Sequence, residues 1–307
     1  MYRQLLIIIL LFSLMSCEKT QKKTTVVSAQ IEASVVQEEK NIDTITSVKE
    51  VIEIIEDSTE IEDVVVEEEI KERKRLEIDS NFVDFTPKLR TNSSFKVIML
   101  GSYHGDELDM SYGTEQWIGV FADSSNYYLK NVEVDFSKDM DPVMDSEGDS
   151  SAIKVSVSEE DECLFLFSGF SLEDRTLHSI DSLKDMRCPL SGDSTILNYN
   201  DTKIKLYATG DKQLLGGDFY ELANYRLFID NEDTTTKTPQ LLFACTSFDD
   251  AMPNLLWVGD IDNDGKLDFL FDLSSHYNAT SLNLFLSSLA DDNEFLELVA
   301  ILNTIGC

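Results

Sequence analysis

The chain has 307 residues, of which 42% are hydrophobic, so it is long enough to bury a sizeable core in one large domain or two small ones. Its 25 Lys and Arg residues against 58 Asp and Glu residues give a formal net charge of −33. Such a surface repels nucleic acid phosphates and anionic lipid headgroups, so we expect no nucleic acid partner. It could attract divalent cations or cationic ligands, or it could serve only to keep the protein soluble.

Residues 1–16 have the features of an export signal. Arg3 supplies a short positive start, and Leu5–Leu14 is apolar apart from Ser13. This run is far shorter than the roughly 20 residues that a membrane-spanning helix needs. It ends in Leu14-Met15-Ser16-Cys17, which resembles the lipobox of bacterial lipoprotein signal peptides. The resemblance implies cleavage before Cys17 and a membrane anchor of acyl chains on Cys17; an ordinary signal peptide beside an incidental cysteine is the alternative.

Residues 17–80 differ in character from the rest of the chain. Between Glu18 and Ser80 there is no Gly, Pro or aromatic residue, and acidic and β-branched residues dominate. Since such a composition buries little surface, we predict an extended acidic tether. A partly helical stalk is the alternative, although the heptad spacing from Ile45 to Ile55 is not continued at Thr59. In lipoproteins of some bacterial groups, acidic residues directly after the lipidated cysteine direct display on the cell surface. The run Glu18–Lys23 is basic on balance, and this departure favours a domain that faces the periplasm.

Residues 81–307 show the patterns of an all-β domain. Phe95–Leu100 is an apolar run, and apolar side chains alternate with polar ones in the segments 132–136, 153–157, 204–206, 225–229 and 282–286. Turn-forming clusters separate these segments, and no long helical pattern occurs. We therefore predict an antiparallel sandwich or a barrel-like domain.

Four cysteines remain once Cys17 is assigned to lipid, namely Cys163, Cys188, Cys245 and Cys307. An even number in an exported chain predicts disulfides, with three possible connectivities. We favour Cys163–Cys188, which closes a short loop, and Cys245–Cys307, which ties down the last residue. Free buried cysteines are the alternative.

The segment Asp260–Asp268 has the spacing D-x-D-x-D-G-x-x-D. Calcium takes six to eight oxygen ligands, and a tight turn directs alternate side chains towards one ion. We predict that Asp260, Asp262, Asp264 and Asp268 supply carboxylates and that Lys266 supplies its backbone carbonyl. A plain β-hairpin is the alternative, because Asp264-Gly265 is a strong turn signal by itself.

The residues flanking this segment exclude an EF-hand, which needs helices on both sides and a Glu at the twelfth loop position, where this chain has Phe271. The residues that follow the loop predict a strand, and with the apolar run before it they give strand–loop–strand. One face of this strand carries Leu267, Phe269, Phe271 and Leu273, and the other carries Asp268, Asp272 and Ser274. The segment resembles the calcium loops of FG-GAP and VCBS-type repeats. The resemblance implies a calcium ion here, but the motif occurs once, so it does not imply a propeller.

The chain has three histidines, of which His104 and His276 lie in polar clusters. Neither sits in a known catalytic spacing such as G-x-S-x-G. The leading hypothesis is therefore a non-catalytic, membrane-tethered module that calcium stabilises and that binds a protein or a glycan in the cell envelope. The alternatives are an envelope hydrolase that uses His104 or His276, and a structural spacer without a specific ligand.

Overall fold

The computed structural model describes residues 75–123, 126–177, 187–232 and 238–306. These residues form a short 3-10 helix, Met110–Thr114, and sixteen β-strands. The strands are β1 Lys96–Ile98, β2 Gly101–Tyr103, β3 Trp117–Ala122, β4 Tyr127–Val132, β5 Val134–Asp139, β6 Ala152–Val157, β7 Glu162–Ser168, β8 Arg175–Leu177, β9 Ser194–Tyr199, β10 Thr202–Gly216, β11 Phe219–Asn231, β12 Gln240–Ser247, β13 Asn254–Gly259, β14 Asp268–Asp272, β15 Ala279–Leu286 and β16 Glu297–Ile305.

The strands form four antiparallel sheets. The first sheet has the order β1-β7-β3-β4-β8, the second β12-β11-β10-β9, the central sheet β13-β14-β15-β16, and a small sheet β2-β6-β5. The second and central sheets are simple meanders, in which each strand pairs with its neighbours along the chain. Each sheet has two edge strands, so none of the four closes on itself. The prediction of an all-β domain is confirmed, in the sandwich form rather than the barrel-like one.

The central sheet is buried on both faces because it lies between the other two large sheets. Phe269 of β14 packs in one core cluster with Leu227 of the second sheet, whereas the adjacent Leu270 packs in another with Phe165 of the first sheet. Successive side chains of a strand point to opposite faces, so a sheet between two others needs apolar residues at nearly every position. Strand β15 shows this directly, since five consecutive residues from Leu282 to Leu286 and Ser287 after them are buried.

Residues 77–93, which we call the strap, run along the edges of the second and central sheets. Phe85 pairs with Ala244 of edge strand β12 through two backbone hydrogen bonds of 2.9 and 2.8 Å. Further along, the Arg90 N–H donates to the Leu298 carbonyl of edge strand β16 at 2.9 Å. The strap therefore joins two sheets and covers part of both exposed edges, which lowers their tendency to pair with another chain.

One strand prediction needs correction. The alternation of Val132, Val134 and Phe136 suggested a single strand, but β4 ends at Val132 and β5 begins at Val134 in a different sheet. The alternation persists across the break because Val132, Val134 and Phe136 all pack on the same core cluster. Side-chain periodicity reports which residues face the core, not which strands they belong to.

The disulfide Cys163–Cys188 is not formed, and that prediction is wrong. Both residues carry free thiols, as does Cys245. Cys163 packs on the core cluster between the first and central sheets, and Cys188 lies in the cluster on the other side of the central sheet. Burial raises the pKa of Cys163 to about 12 and that of Cys245 to about 11. Cys307, the predicted partner of Cys245, lies outside the described residues.

The predicted signal peptide, Cys17 and the predicted tether as far as residue 74 also lie outside the described residues. Within the part of the chain that the structure describes, no helix has the length and apolar character needed to cross a membrane.

Candidate metal centre

The acidic loop, residues 260–267, joins two strands of the central sheet. Strand β13 ends at Gly259 and β14 begins at Asp268, so the predicted strand–loop–strand arrangement is present. The loop turns through two residues with positive φ, Asn263 at 65° and Gly265 at 84°. Asn and Gly adopt this left-handed conformation more readily than other residues, which explains why they occupy these positions.

Three predicted ligands converge at this loop. Carboxylate oxygens of Asp260, Asp262 and Asp268 all lie within 4.8 Å of one another. Calcium binds oxygens at about 2.3–2.6 Å, so two ligands of one ion are separated by no more than about 5 Å. The donor set is made only of hard oxygens, which suits calcium and does not suit a soft metal. The three carboxylates therefore fit a hard divalent cation, and their chemistry alone does not single out calcium.

The other two predicted ligands have different surroundings. Asp264 is not part of the group of three; its carboxylate accepts the Lys266 N–H at 2.8 Å and the Ser287 hydroxyl at 3.2 Å. The Lys266 side chain extends to solvent, with Nζ 3.5 Å from Asp264 Oδ2; the role of the Lys266 backbone carbonyl as a ligand stays a prediction. Asp264 would become a ligand of an ion held here only if its carboxylate moved closer to the other three.

The turn after β15 supports the acidic loop, and no sequence pattern indicates this contact. Ser287 donates its backbone N–H to Asp268 Oδ1 at 2.8 Å, and its hydroxyl reaches the same oxygen at 3.1 Å. The Ser288 hydroxyl donates to Asp262 Oδ2. Serine pairs are common in this chain, so only the fold identifies this one. These contacts hold two of the three converging carboxylates in place.

The acidic loop also contacts the two outer sheets. Tyr199, at the end of β9 in the second sheet, places its hydroxyl 3.3 Å from Asp260 Oδ2. Arg175, at the start of β8 in the first sheet, donates to the Ile261 carbonyl oxygen. The acidic loop is thus a point where all three layers of the sandwich meet, so ordering it stabilises contacts among all of them.

Burial makes the carboxylates of this loop costly to ionise. Asp268 is 0% exposed, and burial together with the nearby Asp262 carboxylate raises the pKa of Asp268 well above its usual range. Burial also raises the pKa of Asp262, and the Asp264 carboxylate adds to this effect. A bound cation relieves both penalties, because it neutralises the repulsion and replaces the lost hydration.

A cleft of about 480 Å³ opens beside the acidic loop. Its floor is apolar, with Leu267 and Leu296, and its rim carries Asp291, Asp292 and Glu294. The rim adds to the negative potential around the loop, which favours the approach of cations.

The two described histidines each pair with an aspartate. His104 Nδ1 contacts Asp141 Oδ2, and the Asp141 side chain is only 1% exposed. His276 Nε2 lies 2.9 Å from Asp249 Oδ2, and its Nδ1 accepts the Asn278 N–H at 3.3 Å. Both ring nitrogens of His276 are therefore engaged, which leaves neither to accept a proton from a nucleophile.

Comparisons of this chain with models of known protein families, with curated proteins and with solved structures found no match.

Proposed function

We propose that this protein is a lipid-anchored component of a bacterial cell envelope. Its β-domain is braced by one calcium ion and binds a protein or a glycan without catalysing a reaction. The observation that carries the metal part of this proposal is the convergence of Asp260, Asp262 and Asp268 at a loop that contacts all three sheets. A cation bound at this position holds the layers of the sandwich together, and so serves stability rather than chemistry.

The anchoring part of the proposal rests on the sequence. The apolar run that ends in Leu14-Met15-Ser16-Cys17 resembles a lipobox, and acyl chains on Cys17 would fix the protein to a membrane. The acidic segment that follows would then let the β-domain reach a partner at some distance from that membrane. About 60 residues of flexible chain average roughly 45 Å from end to end.

We expect calcium rather than magnesium at this site. Magnesium demands near-ideal octahedral geometry at about 2.0–2.1 Å and keeps several waters, whereas calcium accepts irregular sets of carboxylates and carbonyls. The residue at the twelfth position is Phe271, which supplies no ligand. We therefore expect weak affinity, with a Kd of about 10⁻⁴ to 10⁻³ M, as in extracellular calcium modules.

The proposal is tested by thermal unfolding of the full-length chain in detergent after removal of metal with a chelator. Calcium at about ten to a hundred times Kd contributes about 1.4–2.7 kcal/mol, which raises Tm by about 3–10 °C for a domain of this size. Asp262→Ala should abolish the rise, whereas Asp291→Ala on the exposed rim should keep it. Absence of a calcium-dependent rise in the wild type contradicts the metal site.

A hydrolase that uses His104 is the second candidate, because Asp141 orients the His104 imidazole as an aspartate orients a catalytic base. Such an enzyme also needs a nucleophile within hydrogen-bond reach of that ring. The His104 imidazole contacts Asp141, and the Glu107 carboxylate accepts the His104 backbone N–H at 3.0 Å. Turnover of a panel of ester, peptide and glycoside substrates that is lost in His104→Ala would establish the hydrolase instead.

A further inference from the structure

A second cleft, of about 370 Å³, lies at the end of β14 opposite the acidic loop. It is bounded by the strap, by the middle of β12, by the turn 273–276 and by strands β15 and β16. We call it the strap cleft. It lies between the edges of the second and central sheets, where the strap crosses from one to the other.

The lining of the strap cleft is polar but nearly uncharged, which distinguishes it in a chain with a net charge of −33. Among the described residues that line it, Asp84 and His276 are the only ionisable side chains apart from the buried thiol of Cys245. Two amides, Asn283 and Asn303, line it together with hydroxyl side chains, namely Thr86, Ser274, Ser275, Thr280, Ser281 and Thr304. Hydroxyl groups both donate and accept hydrogen bonds, so this wall matches a ligand that carries many hydroxyls of its own.

One buried atom in this wall lacks a partner. Asn283 is 1% exposed, and its Nδ2 donates to the Ser281 carbonyl at 2.8 Å and to the Ser281 hydroxyl at 3.0 Å. No donor among the described residues reaches Asn283 Oδ1. A buried acceptor without a donor is unfavourable, and native proteins rarely keep one without a reason.

Asn283 is a polar residue among apolar neighbours, so packing alone does not explain why this position is polar. Its neighbours along β15 are Leu282 and Leu284, and the residues paired with it across the central sheet are Phe271 and Ile301. An apolar residue would fit this position in the sheet and would leave no acceptor unpaired. A polar residue is therefore best explained by a donor that comes from outside the chain.

We propose that the strap cleft binds a neutral saccharide, one of whose hydroxyls donates to Asn283 Oδ1. The exposed Asn303 and the surrounding Ser and Thr hydroxyls bind the other hydroxyls of the sugar. This assignment rests on the proposed binding function and names the ligand class for it.

The test is a calorimetric and NMR titration of calcium-loaded, full-length protein in detergent with neutral oligosaccharides, for which maltotriose, cellotriose and chitotriose serve as probes. We expect saturable binding to at least one of them, with amide shifts at Ser281 to Asn283. Asn283→Leu, which preserves side-chain size, should weaken binding at least tenfold. Asn198→Leu makes the same change at an exposed position on β9 and should leave binding unchanged.

Asn303→Ala is the second variant, because Asn303 is exposed and its replacement leaves the core intact. It should weaken binding while Tm stays at the wild-type value. Three results overturn the assignment: no probe binds, Asn283→Leu binds as tightly as the wild type, or the shifts lie in the cleft beside the acidic loop. If no probe binds but calcium still raises Tm, a buried water donates to Asn283 Oδ1. The saccharide assignment is then wrong, while the proposed calcium site is retained.

Discussion

The backbone N–H of Ser287 donates to the carboxylate of Asp268 at 2.8 Å, across 19 residues of sequence. Asp268 is fully buried and also accepts the Ile261 N–H at 2.8 Å. This one carboxylate therefore links the start of the acidic loop to the turn after β15. A carboxylate that accepts several N–H donors is oriented before any cation arrives. The candidate metal centre is therefore part of the fold.

Replacing Ser287 with Ala tests this support. The variant loses the hydroxyl contacts to Asp268 at 3.1 Å and to Asp264 at 3.2 Å and keeps the backbone contact. We expect the free energy of unfolding to fall by about 1.5–3 kcal/mol, the range for hydrogen bonds to charged groups. Urea denaturation measures this, with Ser194→Ala at an exposed position on β9 as the control. Equal stability of the two variants would contradict a supporting role for Ser287.

The two-sided burial of the central sheet predicts a large effect at Phe269. This side chain is 0% exposed and stacks on Phe271 with ring centroids 5.7 Å apart. Phe269→Ala should lower the free energy of unfolding by about 3–5 kcal/mol, because the sheets on either side cannot close the cavity fully. Tyr277→Ala, at a side chain that is 66% exposed, should change it by no more than about 0.5 kcal/mol. A small loss at Phe269 would contradict the three-layer arrangement.

The free thiols predict that reducing agents do not affect stability. Burial raises the pKa of Cys163 to about 12 and that of Cys245 to about 11, so neither forms a reactive thiolate near neutral pH. In a Cys307→Ser variant we expect Tm to be the same with and without dithiothreitol. Thiol reagents should modify Cys163, Cys188 and Cys245 only after unfolding. A Tm that falls on reduction would show that a disulfide exists.

The contact between His104 and Asp141 predicts a specific pH dependence. The hydrogen bond from Asp141 raises the pKa of His104 above its ordinary 6.5, so this contribution to stability is complete below about pH 6.5 and is lost as pH rises through the raised value. The same bond lowers the pKa of Asp141 below its ordinary 3.8, so that contribution is present above about pH 3.8 and is lost as pH falls through the lowered value. The contact therefore stabilises the fold most between these two values.

This window is tested with His104→Gln. The difference in Tm between wild type and variant should be largest near pH 5 and should shrink at higher pH, once His104 has lost its proton. Lys138→Gln, which removes a nearby exposed charge, serves as the control and should show no such window. A difference that is the same at about pH 5 and about pH 9 would contradict the ionic character of the contact.

The sequence around β14 predicted which side chains face the second sheet. It could do so because the side chains that a strand buries on one face are apolar and recur at every second position. Leu267, Phe269, Phe271 and Leu273 were placed on one face, and all four pack in the core cluster between the central and second sheets. The all-β class and the strand–loop–strand form of the acidic loop followed from the same patterns. These are local properties, set by neighbours within a few residues.

The partners of the acidic loop could not be predicted, because they depend on which strands become neighbours. Tyr199 and Arg175 come from the two outer sheets and Ser287 from the turn after β15. Nothing in their local sequence marks them as contacts of Asp260, Ile261 or Asp268. The disulfide prediction failed for the same reason. Cys163 and Cys188 are close in sequence, but Cys163 on β7 and Cys188 before β9 pack in core clusters on opposite faces of the central sheet.

The most direct test of the metal site is a calorimetric calcium titration of the chelator-stripped, full-length protein. We expect one ion per chain with a Kd of about 10⁻⁴ to 10⁻³ M, and much weaker binding of magnesium. Asp268→Asn, which keeps the shape of the side chain but removes its charge, should abolish saturable binding, whereas Asp291→Asn on the exposed rim should preserve it. Absence of saturable binding in the wild type, or unchanged binding in Asp268→Asn, would contradict a calcium ion at this loop.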